Sequence, residues 1–329
     1  MTPMLRLAGV SRQDAVFMAV FIAGSSLSIA LVARQALRDS ADPARCAALV
    51  PMGNRCCAIG QRLEEGRCVG RPERCPWPLA VTDSGCVASP ARVAIAAGRL
   101  RAGAGDWEAE GRVRPSENDV PPFDIDAFEI TEGDYASCVE AGRCPLLPLT
   151  GEPGRALGGM TRADAESYCA FRGGRLPTED EWTFAAAGSN ARRYPWGETG
   201  AVCRRGAWGL KEGPCGFGFA GPELTGAHPD GASPEGVHDL AGNVAEWVMD
   251  PPSEPLRAAA EHPKGWNTRR GGTSQGRRPE DETGLVRGGS FVTSLATSLR
   301  TWHAQKVPPA TRSAEIGGRC VYDTARDRR

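Results

Sequence analysis

The sequence has no excess of charge of either sign, and it has few aromatic residues. Lysine and arginine total 39 against 40 acidic residues, for a net charge of -1. This balance provides no global attraction to nucleic acid, so no nucleic-acid partner is expected. Aromatic residues make up only 6%, whereas there are 41 glycines and 26 prolines. The composition therefore predicts an irregular backbone with short helices and strands.

Ligand spacing typical of zinc sites is also missing. The chain has four histidines and no CxxC pair, although it has 12 cysteines. Even numbers of cysteines in two groups favour disulfides and an oxidising compartment, either periplasmic or extracellular. The first group is Cys46, Cys56, Cys57, Cys68, Cys75 and Cys86, and the second is Cys138, Cys144, Cys169, Cys203, Cys215 and Cys320.

Near the N-terminus, a run of residues without charge extends from Ala15 to Ala33, with Arg12 before it and Arg34 after it. A run of this length is sufficient to cross a bilayer core. Cleaved signal peptides usually have a shorter apolar stretch and a clear small-x-small site, which this sequence does not offer. We expect residues 1–34 to form an uncleaved signal anchor with a transmembrane helix at 15–33. The remainder of this single-pass protein would then lie outside the cytoplasm, although cleavage of the anchor stays an open alternative.

Residues 35–90 combine a short charged linker with a compact cysteine-rich segment. The segment has too few apolar residues for a core of its own, and its six cysteines predict a small module stapled by disulfides. Six cysteines allow 15 pairings, and the sequence does not select one. We interpret the module as a spacer between membrane and main domain, with a protein-binding module as the alternative.

The main domain is predicted to occupy residues 91–329 and to mix helices with strands. RVAIAAGRL after Ala91, FDIDAFEI at Phe123–Ile130, LVRGGSF and GGRCVYD are typical of short strands. Thr131, Thr161 and Thr178 are each followed three residues later by an acid, which predicts three capped helix starts. The segment 251–284 has no periodicity and predicts a long loop, whose role is open.

Five motifs in the main domain resemble those of the formylglycine-generating, sulfatase-modifying enzymes. In order they are YCAFRGGRLPTEDEWTFAAAG, YPWGE, GVHDLAGNVAEWVMD, LVRGGSF and GGRC, and the resemblance covers about residues 91–325. It implies an α+β, loop-rich fold similar to the C-type-lectin-like fold.

The resemblance also implies a structural calcium ion at HDLAGNVAEW. The ligands would be the side chains of Asp239 and Glu246 and the carbonyls of Gly242 and Val244. Carboxylate and carbonyl oxygens are the ligands that this hard cation prefers. An alternative is that these residues are caps and surface acids that bind no ion.

The catalytic chemistry of the family is not expected. The resemblance implies two cysteines that bind copper(I), the first two residues and the second seven residues after the RGGSF motif. Thr293 and Ser298 stand at these positions. A neutral hydroxyl is a poor ligand for a soft cation, so we expect neither bound copper nor formylglycine synthesis, as in a pseudoenzyme.

The resemblance further implies a Cys169–Cys320 disulfide. Local pairing is the simplest arrangement for Cys138 with Cys144 and for Cys203 with Cys215, which are close in sequence. The histidines show no HxH or HxxE spacing, and we expect each to be an isolated surface residue: His228, His238, His262 and His303.

The resemblance implies a groove that holds an extended peptide in the catalytic members. Without the catalytic chemistry, we expect a non-catalytic module that binds a peptide or protein ligand in this groove or serves as a scaffold. The expected contacts flank the former catalytic positions: Arg287, Ser290, Thr293, Ser298, Arg300 and Trp302. One alternative is a metal-dependent oxidoreductase of this family that acts on a protein or small-molecule thiol through unrecognised ligands. Another is a structural envelope protein.

Overall fold

The structure, a computed structural model, describes residues 50–324 with several gaps. The gaps are residues 53–54, 66, 84, 104–105, 111, 114–115, 217–220 and 250–282. The expected anchor at 15–33, Cys46 and nearly all of the 251–284 loop lie outside the described residues. Within the described ranges, no helix has the length and apolar character needed to cross a membrane.

Three α-helices begin where their capping residues predict. They are α1 (Glu132–Glu140), α2 (Arg162–Phe171) and α3 (Glu179–Ala187). The threonine before each helix accepts a hydrogen bond from a backbone N–H of the first turn, and α2 and α3 have complete capping boxes. α3 ends at Gly188, which is its C-cap with φ of 64°, a conformation that favours glycine.

The strands are short and distributed over several small sheets. They are β1 (Val50–Met52), β2 (Arg55–Cys57), β3 (Arg62–Glu64), β4 (Arg67–Val69), β5 (Ala80–Val81), β6 (Cys86–Val87), β7 (Arg92–Ile95), β8 (Gly98–Ala102), β9 (Ser116–Val120), β10 (Phe123–Asp126), β11 (Ala245–Val248), β12 (Gly284–Arg287), β13 (Ala304–Val307), β14 (Ile316–Gly317) and β15 (Val321–Asp323). The strand predicted over residues 123–130 is too long, because β10 ends at Asp126. Beyond β10, the backbone hydrogen bonds go to different segments. The N–H of Ala127 donates to the carbonyl of Ala91, and the N–H of Ile130 donates to the carbonyl of Gly318.

Two sheets and the three helices form the body of the main domain. One sheet has the order β15-β10-β7, and the other has the order β13-β12-β11-β14, in which β11 and β14 are parallel. Trp247 and Tyr168 belong to one hydrophobic cluster, and Trp182 and Phe123 belong to a second. The mixed helix and sheet content predicted from the sequence is confirmed.

Five disulfides join ten of the described cysteines. The main domain contains Cys138–Cys144, Cys169–Cys320 and Cys203–Cys215, which are the pairings that the sequence and the resemblance predicted. The cysteine-rich module contains Cys57–Cys68 and Cys75–Cys86, which the sequence left open.

The second half of the cysteine-rich module packs against the main domain. Leu79 joins the hydrophobic cluster that contains Phe128, and the disulfide of Cys75 and Cys86 lies against the same cluster. Gly236 lies so close to Trp77 that an added Cβ would come 2.9 Å from the indole ring. This part of the module therefore forms a wall of the domain rather than an extended spacer.

Candidate functional site

A pocket of about 230 Å³ lies at the two positions singled out by the sequence. Its lining includes Thr293, Ser298, Val292, Leu295, His303 and Gln305. The turn after β12 forms one wall of the pocket. Glycine is favoured in this turn, because Gly288 and Gly289 adopt positive φ of 91° and 69°. The Thr293 hydroxyl accepts a hydrogen bond from the backbone N–H of Ser290 at 2.9 Å, which closes this turn.

The size of the pocket limits what it can hold. Small-molecule sites usually enclose roughly 300–1,000 Å³. A volume of 230 Å³ suits one side chain of a longer ligand. At the rim, the side chain of Leu295 is exposed to 68%, which provides an apolar surface beside the pocket.

Four of the expected groove residues do not face the pocket, because they are buried. They are Arg287, Ser290, Arg300 and Trp302. Arg300 pairs with Glu108 and lies 3.4 Å from Asp106, and the Trp302 indole donates to Asp106 at 2.8 Å. Burial keeps these side chains out of the pocket lining, and their expected role as direct ligand contacts stays a prediction.

Arg287, the last residue of β12, is buried and is held by partners from two other segments. Its guanidinium donates to the carbonyl of Thr301 at 3.1 Å and forms an ion pair with Glu179 at the start of α3. The sequence could not indicate these partners, because Glu179 is far from Arg287 in the chain.

His303 is a pocket residue that the sequence did not identify. It is half-buried and lines the pocket with Thr293, instead of standing alone on the surface. Burial lowers the pKa of His303, and the positive charges of Arg287 and Arg112 lower it further. The ring is therefore neutral near pH 7 and can accept or donate one hydrogen bond.

The residues of the expected calcium site form a second, buried cluster. The Asp239 carboxylate accepts from the backbone N–H of Gly226 at 2.6 Å. Both oxygens of Glu246 accept from Arg319 at 2.7 Å, and one also accepts from the Trp182 indole at 2.8 Å. Glu246 thus already has a cationic partner, which the sequence did not indicate.

Glu129 adds a third buried carboxylate to this cluster. It accepts from the Asn243 side chain at 2.6 Å and from the Val244 backbone at 3.0 Å. Burial raises the pKa of Glu129 well above its usual value, and the charges of Asp239 and Glu246 raise it further.

The net charge of this cluster would suit an additional cation. The cluster holds three carboxylates against the guanidinium of Arg319 and the nearby ring of His228, and a buried excess of negative charge is unfavourable unless a proton, as on Glu129, or a cation compensates it. In the described part of the chain, no three His, Cys, Asp or Glu side chains form a metal-binding group. The expected site needs only two such side chains, because two backbone carbonyls complete it.

Comparison with known proteins gives the same fold family as the motifs. Residues 80–324 match the family of sulfatase-modifying factor enzyme 1-like domains. The chain belongs to this family. The match begins within the cysteine-rich module, in agreement with the packing of that segment against the main domain.

The curated relatives include a protein named as inactive and a protein named as a formylglycine-generating enzyme. The chain is 44% identical over 90 residues to inactive C-alpha-formylglycine-generating enzyme 2 of Bos taurus, which covers 26% of this chain and 29% of the relative. It is 32% identical over 187 residues to the formylglycine-generating enzyme of Thermomonospora curvata, which covers 54% of this chain and 59% of that enzyme. The chain therefore matches less than two thirds of the length of these curated relatives.

A solved structure supports the fold. PvdO from Pseudomonas aeruginosa is similar, with a TM-score of 0.52 and 20% sequence identity, over 70% of this chain and 94% of PvdO. At this level of identity, the likeness shows the fold alone.

Proposed function

We propose that this protein is a membrane-anchored, extracytoplasmic member of the family that binds an extended peptide segment without oxidising it. The observation that carries the proposal is the pocket itself, whose lining includes the hydroxyls of Thr293 and Ser298 instead of thiols. Inactive formylglycine-generating enzyme 2 among the relatives supports a non-catalytic member.

The chemistry of the pocket favours recognition over oxidation. Hydroxyl groups are hard, neutral ligands, whereas copper(I) requires soft thiolates. The ten cysteines with described partners are all in disulfides and offer no thiolate to the pocket. The hydroxyls, neutral His303 and the apolar Leu295 and Val292 instead suit one partly polar side chain of a peptide.

The proposal is tested by selecting peptides from a random phage-displayed library on the full-length protein in detergent. Ser298→Trp fills the pocket, and Leu295→Asp places a charge on its exposed rim without disturbing the core. Selected peptides are expected to lose at least about tenfold in affinity on both variants. Ser137→Trp is the matched control, because Ser137 is an exposed residue of α1 that does not line the pocket.

Peptides that bind the two pocket variants and the control equally would refute the groove as the binding site. Failure to select any peptide dependent on the pocket would refute the proposal as well. Affinities are measured by fluorescence polarisation with synthetic copies of the selected peptides.

We further propose a structural calcium ion held by Asp239, Gly242, Val244 and Glu246. The excess of buried carboxylates supports it, and one Glu246 oxygen accepts only a single hydrogen bond and retains a lone pair. Bound calcium would offset the repulsion between the carboxylates and stabilise the folded state.

Calorimetric melting of the full-length protein tests the calcium proposal. Calcium is expected to raise the melting temperature of the EGTA-treated protein, and magnesium is expected to have a smaller effect. Asp239→Asn should abolish the calcium-dependent rise. Equal melting in calcium and EGTA would show that the Arg319 guanidinium alone compensates the cluster.

The proposed location depends on the segment Ala15–Ala33 and on the disulfides. Five disulfides suit an oxidising compartment. Protease added to intact spheroplasts is expected to digest the main domain. A main domain that becomes accessible only after lysis would contradict this location.

A further inference from the structure

A cavity of about 930 Å³ lies between the cysteine-rich module and the main domain, separate from the pocket at Thr293. The module contributes Leu79 and residues 85–90 to its wall. The domain contributes Asp126, Phe128 and Ile130 from the segment that begins in β10, and parts of α1 and α2. The volume lies in the range of small-ligand sites, roughly 300–1,000 Å³.

The wall combines apolar surface with an excess of negative charge. Its six carboxylates face three arginines and one histidine. Several of these groups pair with each other: Arg204 with Asp230 at 2.7 Å, and His228 with Glu223 at 2.7 Å. Arg172 also lies 3.9 Å from Asp134, so the carboxylates of the wall outside these three pairs are Asp126, Glu129 and Glu152.

Asp126 is a carboxylate of the wall that has no positive partner at ion-pair distance in the described part of the chain. Among the described residues it forms no ion pair, and its oxygens accept only from the Tyr322 hydroxyl at 3.1 and 3.2 Å and from the Cys320 backbone at 3.3 Å. Burial raises the pKa of Asp126 to about 6, although Arg172 and these hydrogen bonds oppose the rise. Arg172 and Arg319 compensate the charge of Asp126 only in part, so a cation that enters the cavity would interact strongly with this desolvated carboxylate.

A second polar atom in the wall is also incompletely paired. The ring of His228 is buried, and among the described residues its Nδ1 makes no hydrogen bond of good geometry, although the backbone of Arg204 lies near the ring. Burial lowers the pKa of His228, but the pair with Glu223 raises it more, so the net direction is upward. The raised pKa favours the protonated ring, in which Nδ1–H can donate to a carbonyl oxygen on a ligand.

We propose that this cavity binds an alkylammonium group, with Asp126 as its counter-ion and with the aliphatic stem of the ligand against Leu79, Phe128 and Ile130. The cysteine-rich module then completes this binding site. The ammonium group belongs either to a free aliphatic diamine or to a lysine residue of a peptide, in which case a carbonyl meets His228.

Calorimetric titration of the full-length protein in detergent tests the proposal with three probes. N-acetyl-lysine methylamide carries the ammonium group and two carbonyls, cadaverine carries ammonium groups alone, and N-acetyl-norleucine methylamide is the neutral analogue. The lysine probe or cadaverine is expected to bind at least about tenfold more tightly than the neutral probe. Tighter binding of the lysine probe assigns the site to peptides, and tighter binding of cadaverine assigns it to free diamines.

Asp126→Asn is expected to remove the preference for the charged probes. The matched control is Asp119→Asn, because Asp119 is an exposed carboxylate of β9 outside the cavity wall. Equal binding of charged and neutral probes to the wild type overturns the proposal without any variant. Charged probes that bind Asp126→Asn as tightly as the wild type overturn it too. Peptide binding at the Thr293 pocket is independent of either result.

Discussion

The guanidinium of Arg319 and the carboxylate of Glu246 form a two-pronged ion pair with both distances at 2.7 Å. The side chains are 0% and 1% exposed, so solvent does not screen the pair. Arg319 also donates to the carbonyls of His238 and Asp126, which ties the C-terminal segment to two distant segments of the domain.

Removal of one charge from this pair is expected to destabilise the protein strongly. Glu246→Gln leaves the guanidinium of Arg319 facing an amide, and loss of one partner from a buried pair typically costs about 3–5 kcal/mol. Urea unfolding in EGTA measures the change in the free energy of unfolding. Asp119→Asn, which breaks the exposed pair with Arg99, should have little effect because solvent screens that pair. A cost of similar size in both variants would contradict the account.

The raised pKa of Asp126 predicts a specific dependence of the free energy of unfolding on pH. Its folded-state pKa of about 6 lies above the usual 3.8, so the folded state holds the extra proton between about pH 4 and 6. Stability should therefore fall as pH rises through this window, by about 3 kcal/mol at roughly 1.4 kcal/mol per pKa unit. The charged or titratable groups beside Asp126 are Arg172, Tyr168, Arg319 and Tyr322.

The pH prediction is checked by the difference between wild type and Asp126→Asn in chemical denaturation. The variant should lack this part of the pH dependence and should match or exceed the stability of the wild type at pH 7.5. A difference that does not change between pH 4 and 7.5 would mean that Asp126 is solvated.

Gly318 belongs to the C-terminal GGRC motif, and the structure has room for a Cβ there. An added Cβ would meet Ala165, Ile130 and Leu176 at 3.5–3.8 Å, which is ordinary contact. Gly318→Ala is therefore expected to raise the free energy of unfolding by about 0.4–1 kcal/mol, because alanine restricts the unfolded chain. Gly158→Ala is the opposite control, since its Cβ would lie 2.0 Å from the carbonyl oxygen of Ala314. Destabilisation by both variants, in thermal melts, would contradict the packing around Gly318.

A disulfide that closes a long loop and one that closes a short loop should differ in their contribution to the free energy of unfolding. Cys169–Cys320 closes a loop with a sequence separation of 151, and Cys138–Cys144 closes one with a separation of 6. Loop-closure entropy predicts losses of about 5 and about 2.4 kcal/mol when each pair is replaced by alanines. Guanidinium unfolding of the two double variants gives the comparison, and an equal loss would show that the closed loops do not determine these contributions.

The sequence predicted the local elements well, because their causes are local. Thr131, Thr161 and Thr178 mark helix starts through bonds within one turn, and short cysteine spacings predict local disulfides. The packing of Leu79 on Phe128 was not predictable, since it joins separate segments. The same holds for Asp106 and Glu108, which cover Arg300 and Trp302 and thereby remove them from the surface. His303 has no local signal that would place it beside Thr293.

The most direct test of the central claim is mass spectrometry of a cysteine-containing sulfatase-motif peptide after incubation under air with the copper-treated full-length protein. The formylglycine-generating enzyme of Thermomonospora curvata is the positive control for the assay. With Thr293 and Ser298 in place of thiolates, the peptide is expected to remain unchanged while the control enzyme converts it. Conversion of the cysteine to formylglycine by this protein would contradict the non-catalytic account and favour an oxidoreductase with other metal ligands.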